Sequence, residues 1–188
     1  MSLDLTGCKL QAPRDSAKGT KVLPLTSSIA TEVRWFLNDA KAVFEPSGFN
    51  GDSEATRVTL SLTADEDVQT SMAALETFLV QAITELRFLG DVEPAFVKAR
   101  FQSPLKHADR YGAHLRVKMN VAPGARAVRI WSHEKKLREA PVAWRGCNLQ
   151  CVVVVKGAYI TGVNWGPILE LQDVMVDESA NSQAVCPW

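Results

Sequence analysis

Between residues 96 and 145 the chain repeatedly sets a cation beside an aromatic ring. Phe96-Val-Lys98-Ala-Arg100-Phe101 interleaves the two, and Lys106 and Arg110-Tyr111 follow. Arg116 and Lys118 then occupy alternate positions, as do Arg129 and Trp131, and Trp144-Arg145 closes the series. Ammonium and guanidinium groups neutralise phosphates, and ring faces stack on bases at about 1–3 kcal/mol per base. A groove that holds a single polyanionic strand without reading its sequence needs both residue kinds close together. Taken singly, each residue has a plainer reading, because most cations are solvated and most rings are core. Their concentration in one stretch is the informative feature.

The charge distribution points the same way. The 188 residues hold 21 Lys+Arg against 21 Asp+Glu, a formal net charge of zero. Residues 1–95 carry 8 cations and 14 acids, residues 96–156 carry 13 cations and 3 acids, and residues 157–188 carry four acids and no cation. One basic third followed by an acidic end is the asymmetry expected of a polyanion binder with a self-screening or partner-docking tail. In that tail Asp177 and Glu178 supply charge, and Pro187-Trp188 supplies an aromatic end.

Signatures of catalysis are missing from the same sequence. It has no Gly-rich phosphate loop followed by Lys-Ser/Thr, no dinucleotide fingerprint, no nucleophile elbow and no paired-His metal helix, so a non-enzymatic protein without cofactor is expected. Asp65-Glu66-Asp67 could hold a metal, but at a helix start these acids complement the macrodipole. His114, a conceivable general base, reads as a solvated contact residue on a basic strand. Cys8 and Cys186 lie near the ends, and Cys147 and Cys151 fall in a β-branched run at an even spacing that puts both on one strand face. They read as buried thiols. A zinc site would want two close Cys pairs or neighbouring histidines, and His107, His114 and His133 do not cluster with them.

These side chains must be positioned by short strands and one helix. The first twenty residues lack a period and read as a flexible arm. Ala42–Glu45 and Arg57–Thr63 are extended, the latter with Val58, Leu60 and Leu62 on one face and Arg57, Thr59 and Ser61 on the other. Val68, Met72, Leu75, Leu79, Ile83 and Leu86 then mark an amphipathic helix over about 65–89, with Thr63 or Asp65 as N-cap and Gly90 as stop. After Pro94 the pattern is all strand. Ala113–Val121 alternates, with Arg116 and Lys118 on its polar face, and Ala127–Ser132, Cys147–Val155, Ala158–Thr161 and Ile168–Val176 follow, separated by Gly- and Pro-containing turns.

A composition of 46% apolar and 22% charged residues is that of one globular domain, and a chain this long can bury its own core without disulfides. No run approaches the roughly 20 apolar residues of a membrane helix, and no basic-then-apolar leader opens the chain, so an intracellular protein is expected. Residues 113–176 leave no room for helical crossovers, which disfavours a parallel sheet. The expected fold is mainly β: an oligonucleotide/oligosaccharide-binding (OB-fold) barrel over residues 21–176 with one inserted helix, flanked by the arm and by a tail over 177–188. A β-sandwich is the alternative.

Three stretches carry a family resemblance. Leu115-Arg-Val-Lys through Val128-Arg-Ile-Trp, Arg145-Gly-Cys-Asn-Leu-Gln-Cys-Val-Val-Val-Val-Lys-Gly-Ala-Tyr-Ile, and Trp165-Gly-Pro-Ile-Leu-Glu-Leu-Gln-Asp-Val-Met-Val together resemble the C-terminal strands of phage-type single-stranded DNA-binding proteins. Such proteins are also found in large eukaryotic DNA viruses. The likeness is one of pattern over about sixty residues, a third of the chain. It implies an oligonucleotide-binding barrel that coats single strands during replication and recombination, with an acidic, aromatic-ended tail that docks replication proteins. Lys98, Arg100, Lys106, Arg110, Arg116, Lys118, Arg129 and Arg145 are then the expected phosphate contacts, and Tyr111, Trp131 and Trp144 the stacking rings. Single-stranded DNA is the expected partner, with RNA left open and self-association expected. The host nucleus or cytoplasm would be the site of action for a viral protein. The alternative from another class is a viral or mobile-element coat subunit, which would assemble without nucleic acid.

Overall fold

A computed structural model describes residues 2–16, 19–48, 51–52 and 54–177. Ten strands and two helices follow in the order β1 (Cys8–Leu10), β2 (Arg14–Asp15), β3 (Lys21–Ser27), β4 (Arg34–Lys41), β5 (Arg57–Thr63), α1 (Glu66–Glu85), α2 (Pro94–Ala99), β6 (Leu105–Ala108), β7 (Gly112–Asn120), β8 (Arg129–Trp131), β9 (Asn148–Thr161) and β10 (Asn164–Asp177). No helix among the described residues is long and apolar enough to cross a membrane.

The chain is mainly β, as its alternating segments require, and its strands form one mixed sheet. β9 and β10 pair antiparallel along their length. β3 and β4 flank β9, while β7 and β8 flank β10 and run parallel to it. The parallel pairs differ from the all-antiparallel expectation, because here the return path between β7 and β10 runs through β8 and β9 instead of a helix. The sheet is also not closed into a barrel. The main path ends on β5, and the segment after β4 meets β5 only at isolated bridges, Ala42 with Leu62 and Ser47 with Thr59.

Alternation sets which face of each strand is buried. Leu115, Val117 and Met119 of β7 and Leu60 and Leu62 of β5 point inward, leaving Arg116 and Lys118 outside. Helix α1 closes the inner face with Val68, Met72, Leu75, Leu79 and Ile83, and these join one continuous core with the strand residues. Asp65 is its N-cap, Oδ1 accepting from Val68 N at 2.8 Å, which accounts for one acid of the 65–67 triplet. The helix stops at Glu85, before the expected Gly90, because Arg87 already takes a left-handed backbone (φ 51°). A second short helix, α2, falls where only strands were expected. Pro94 at its first turn has no N–H to lose and a φ suited to starting a helix.

Within the segment expected as a flexible arm, residues 2–16 are built into the fold. β1 and β2 both pair with β3, and Leu3 and Leu10 are buried, with Leu3 N donating to Ser71 Oγ of α1 at 3.3 Å. Buried apolar side chains three and ten residues into the chain tie this segment down without any period to announce it.

Gly157 keeps β9 continuous where the sequence suggested two strands. It lies opposite Pro24 of β3 with φ +134°, and a Cβ there would stand 1.9 Å from the Leu23 carbonyl oxygen. Only glycine allows that approach. Gly157→Ala is therefore expected to lose about 2–4 kcal/mol, measured by urea unfolding, with β3 the first element to lose hydrogen-exchange protection.

Candidate nucleic-acid interface

The outward residues of β5, β6 and β7 share one surface because their registers align. Thr59 lies opposite Lys118 and Ser61 opposite Arg116, while Lys106 lies opposite His114. Together with Arg57, the cations Lys106, Arg116 and Lys118 line a groove of about 530 Å³ whose other wall is built by Val22, Tyr159 and Ile168 of β3, β9 and β10. Among the described residues no carboxylate lines it. A smaller cavity shares Thr59, Lys106 and Arg116 with the groove and extends it to Phe44, His114 and Glu45, whose carboxylate accepts from the backbone of Trp144 and Arg145. Phe44 in turn meets Tyr111 edge-on, 5.0 Å between centroids, and the Arg110 and Arg145 guanidiniums stand 5.7 and 5.9 Å from that ring.

Electrostatics in the groove are dominated by uncompensated positive charge. Lys118 Nζ donates to Thr59 Oγ1 at 2.7 Å. Desolvation, then the like charges of Arg116 and Arg57, hold its pKa below the usual lysine value. Glu170 reaches Arg57 only at 4.0 Å. Among the described residues Lys106, Arg116 and Lys118 have no ion-pair partner. A phosphate entering here would relieve repulsion as well as gain attraction.

The expected site residues thus separate into groups. Lys106, Arg116 and Lys118 meet in the groove, and Arg110, Tyr111 and Arg145 gather at its extension. Lys98 instead faces α1, where it lines a cavity with Glu76 and Glu85. Arg100 caps α2 with its guanidinium 5.1 Å from the Phe96 ring. Arg129 and Trp131 lie on β8, against the far half of β10, where Asp173 holds both: Arg129 Nη2 at 2.6 Å and Trp131 Nε1 at 2.8 Å. That hydrogen bond raises the Arg129 pKa.

Trp144 is a correction. It is only 5% exposed and belongs to the core, held by its backbone N–H donating to Glu45 Oε2 at 3.0 Å, so its ring offers no face for stacking. His114 is likewise buried, against Phe44, where a solvated residue was expected. Cys147 and Cys151 are both buried, and burial pushes the Cys151 thiol up to about 12. Asp177 ends β10, whereas Glu178, Cys186 and Trp188 lie outside the described residues.

Arg57 and Tyr159 are groove residues the sequence reasoning missed. Arg57 sits on the polar face of an alternating strand, a usable signal, but within the acidic half of the chain. Tyr159 faces outward from an otherwise apolar run, and burial raises its pKa.

No family model matches the chain, and no curated protein matches it by sequence. Among solved structures its fold is similar to that of the single-stranded DNA-binding protein from bacteriophage Enc34 in complex with ssDNA. The TM-score is 0.51 at 11% identity, over 88% of this chain and 93% of that one. A C-terminal truncation of the phage protein aligns with a TM-score of 0.49 at 11% identity, over 89% and 92% of the two chains. The chain thus shares the overall fold of that phage protein.

The lowered Lys118 pKa makes a stability prediction. Its folded-state value lies below the unfolded one, so the charged ammonium costs stability at neutral pH. That cost disappears as pH rises through the lowered value toward 10.5. Urea unfolding of wild type and Lys118→Met between pH 7 and 11 should therefore shift in favour of wild type as pH rises.

Proposed function

We propose that this protein is a non-enzymatic single-stranded DNA-binding protein, and that Arg57, Lys106, Arg116 and Lys118 carry the strand's phosphates. The observation that supports this most is the groove itself: four cations, no lining acid among the described residues, and a lysine whose pKa is depressed first by burial and then by the like charges of Arg116 and Arg57. Structures that need positive charge only for solubility can spread it; holding like charges together costs energy unless an anion is to be bound. Tyr111 serves as a ring anchored beneath Arg110 and Arg145, a place where a base can replace a guanidinium. The likeness in fold to a protein solved with ssDNA fits the same reading.

Coating of strands during replication or recombination is the role we assign on this reading, with DNA favoured over RNA. Sequence-independent binding follows from contacts to phosphates and ring faces, which carry no base identity. The tail over 177–188 would compete with the strand for the cations and present Trp188 to replication proteins. Several copies side by side on one strand would supply the affinity that a net charge of zero does not.

The test is a salt titration of binding to a poly-pyrimidine single strand and to the matching duplex. Wild type should bind the single strand with a steep loss of affinity as salt rises. Arg116→Gln and Lys106→Gln should each lower the slope of log K against log salt by about 0.7–1, with unfolding midpoints unchanged. Equal binding of duplex and single strand, or slopes untouched by both substitutions, would rule out this groove as the strand's seat.

A further inference from the structure

Strand β4 has an open edge. Arg34 to Leu37 pair with Val154 to Cys151 of β9 on one side, and among the described residues no strand pairs with the other. The Val33 carbonyl accepts from Val155 N at 2.9 Å, so along this antiparallel ladder Val33, Trp35 and Leu37 bond to β9, while the N–H and C=O of Arg34 and Phe36 point away from it. Among the described residues no hydrogen bond reaches those four groups. The remaining edges are covered or shorter. Ala42 and Ser47 bridge to β5, Leu137 bridges to Trp131 of β8, and β1, β2 and β6 run for only three, two and four residues against the eight of β4. An uncovered edge of this kind is a template for another strand.

The side chains along this edge suit a second copy of the same strand. Phe36, in its middle, leaves 44% of its surface in water. When two β4 strands run antiparallel about a two-fold axis at Phe36, the two phenylalanines face each other and the buried Trp35 faces Leu37 of the second copy. Between Leu37 and Ala40, β4 has one residue more than β9, a bulge at Asn38-Asp39 where Asp39 takes a left-handed backbone (φ 59°). With that bulge counted as one position, Arg34 faces Asn38 and Asp39 of the second copy, and Glu32 faces Lys41. Both facing pairs are of opposite sign, and the symmetry makes each of them twice. Glu32 already meets Lys156 at 2.9 Å and Arg34 at 3.3 Å within its own copy, whereas Asp39 has no ion pair among the described residues. Asp39 is thus the free acid that the register brings to Arg34.

We propose that β4 pairs with β4 of a second copy, joining two sheets into one across a two-fold axis, and that this dimer forms without nucleic acid. The exposed N–H and C=O of Phe36 then bond to those of its counterpart, and Arg34 bonds across the bulge. Side-by-side packing along a strand is a different contact. A two-fold contact closes on itself, so it stops at two copies. It also turns the two basic grooves in opposite directions, so that one strand cannot run straight from the first into the second. No residue from 32 to 41 lines the groove, and the dimer therefore stands or falls independently of the single-strand reading.

The experiment is sedimentation velocity of the intact protein without nucleic acid over a wide range of concentrations, with amide hydrogen exchange measured on the same samples. Wild type should pass from monomer to dimer and no further, and the amides of Arg34 and Phe36 should gain protection over the same range. Phe36→Asp sets like charges directly opposite each other across the axis. Asp39→Asn keeps a residue that tolerates the left-handed backbone and removes its charge. Both should raise the dimer dissociation constant, the first by about ten-fold or more, with circular-dichroism spectra unchanged. Phe36→Cys should cross-link to its own counterpart on mild oxidation, because directly opposed residues of a hydrogen-bonded pair stand about 5.5 Å apart at Cα, within disulfide reach. A monomer at every concentration, a larger assembly, a dimer whose Arg34 and Phe36 amides stay unprotected, or a dimer indifferent to Phe36→Asp would overturn the proposal. None of these results would touch strand binding in the groove.

Discussion

Two fourteen-residue strands, β9 and β10, pair antiparallel over nearly their whole length, and both candidate surfaces depend on that ladder. The run Cys151-Val-Val-Val-Val favours extended backbone, since branched side chains fit a pleated sheet better than a helical turn. Once paired, β9 carries β3 and β4 on its free edge and β10 carries β7 and β8. The basic groove lies along one half of β10, and Asp173 with its β8 partners Arg129 and Trp131 along the other. The register of one pair of strands therefore sets the spacing of the two.

Several attachments keep that frame in one register. Trp165, fully buried, donates from Nε1 to the Val97 carbonyl at 2.7 Å, and its own backbone exchanges bonds with Arg100 and Gln102. This locks the segment leading to Ser103 and Pro104, which form part of the groove wall. Glu45 accepts from the backbone of both Trp144 and Arg145, fixing the end of a long loop next to Tyr111. Polar atoms are thus spent on holding loops in place, while among the described residues Lys106, Arg116 and Lys118 of the groove have no ion-pair partner and Arg57 meets Glu170 only at 4.0 Å.

Much of this was legible in the chain. Alternation in 57–63 and 113–121 marks two strands and their core residues, Leu60 and Leu62 with Leu115, Val117 and Met119, and leaves Arg116 and Lys118 exposed on the opposite face, where Thr59, Ser61 and His114 are nonetheless buried. The helical stripe from Val68 to Ile83 identified α1. Three things were not legible, each for a physical reason. Parallel pairing depends on where distant strands dock, which no local period encodes. Burial of Trp144 follows from Glu45, about a hundred residues away in sequence. The pairing of Arg129 away from the groove follows from Asp173, an acid that looks like part of an acidic end until β8 is placed beside β10.

The most direct measurement is lysine-reactivity footprinting of the intact protein with and without a saturating poly-pyrimidine single strand. A strand seated in the groove should protect Lys106 and Lys118 while leaving Lys9 and Lys41, which do not line the groove, at their free rates. Equal reactivity of Lys106 and Lys118 in the free and strand-saturated protein would contradict the central claim.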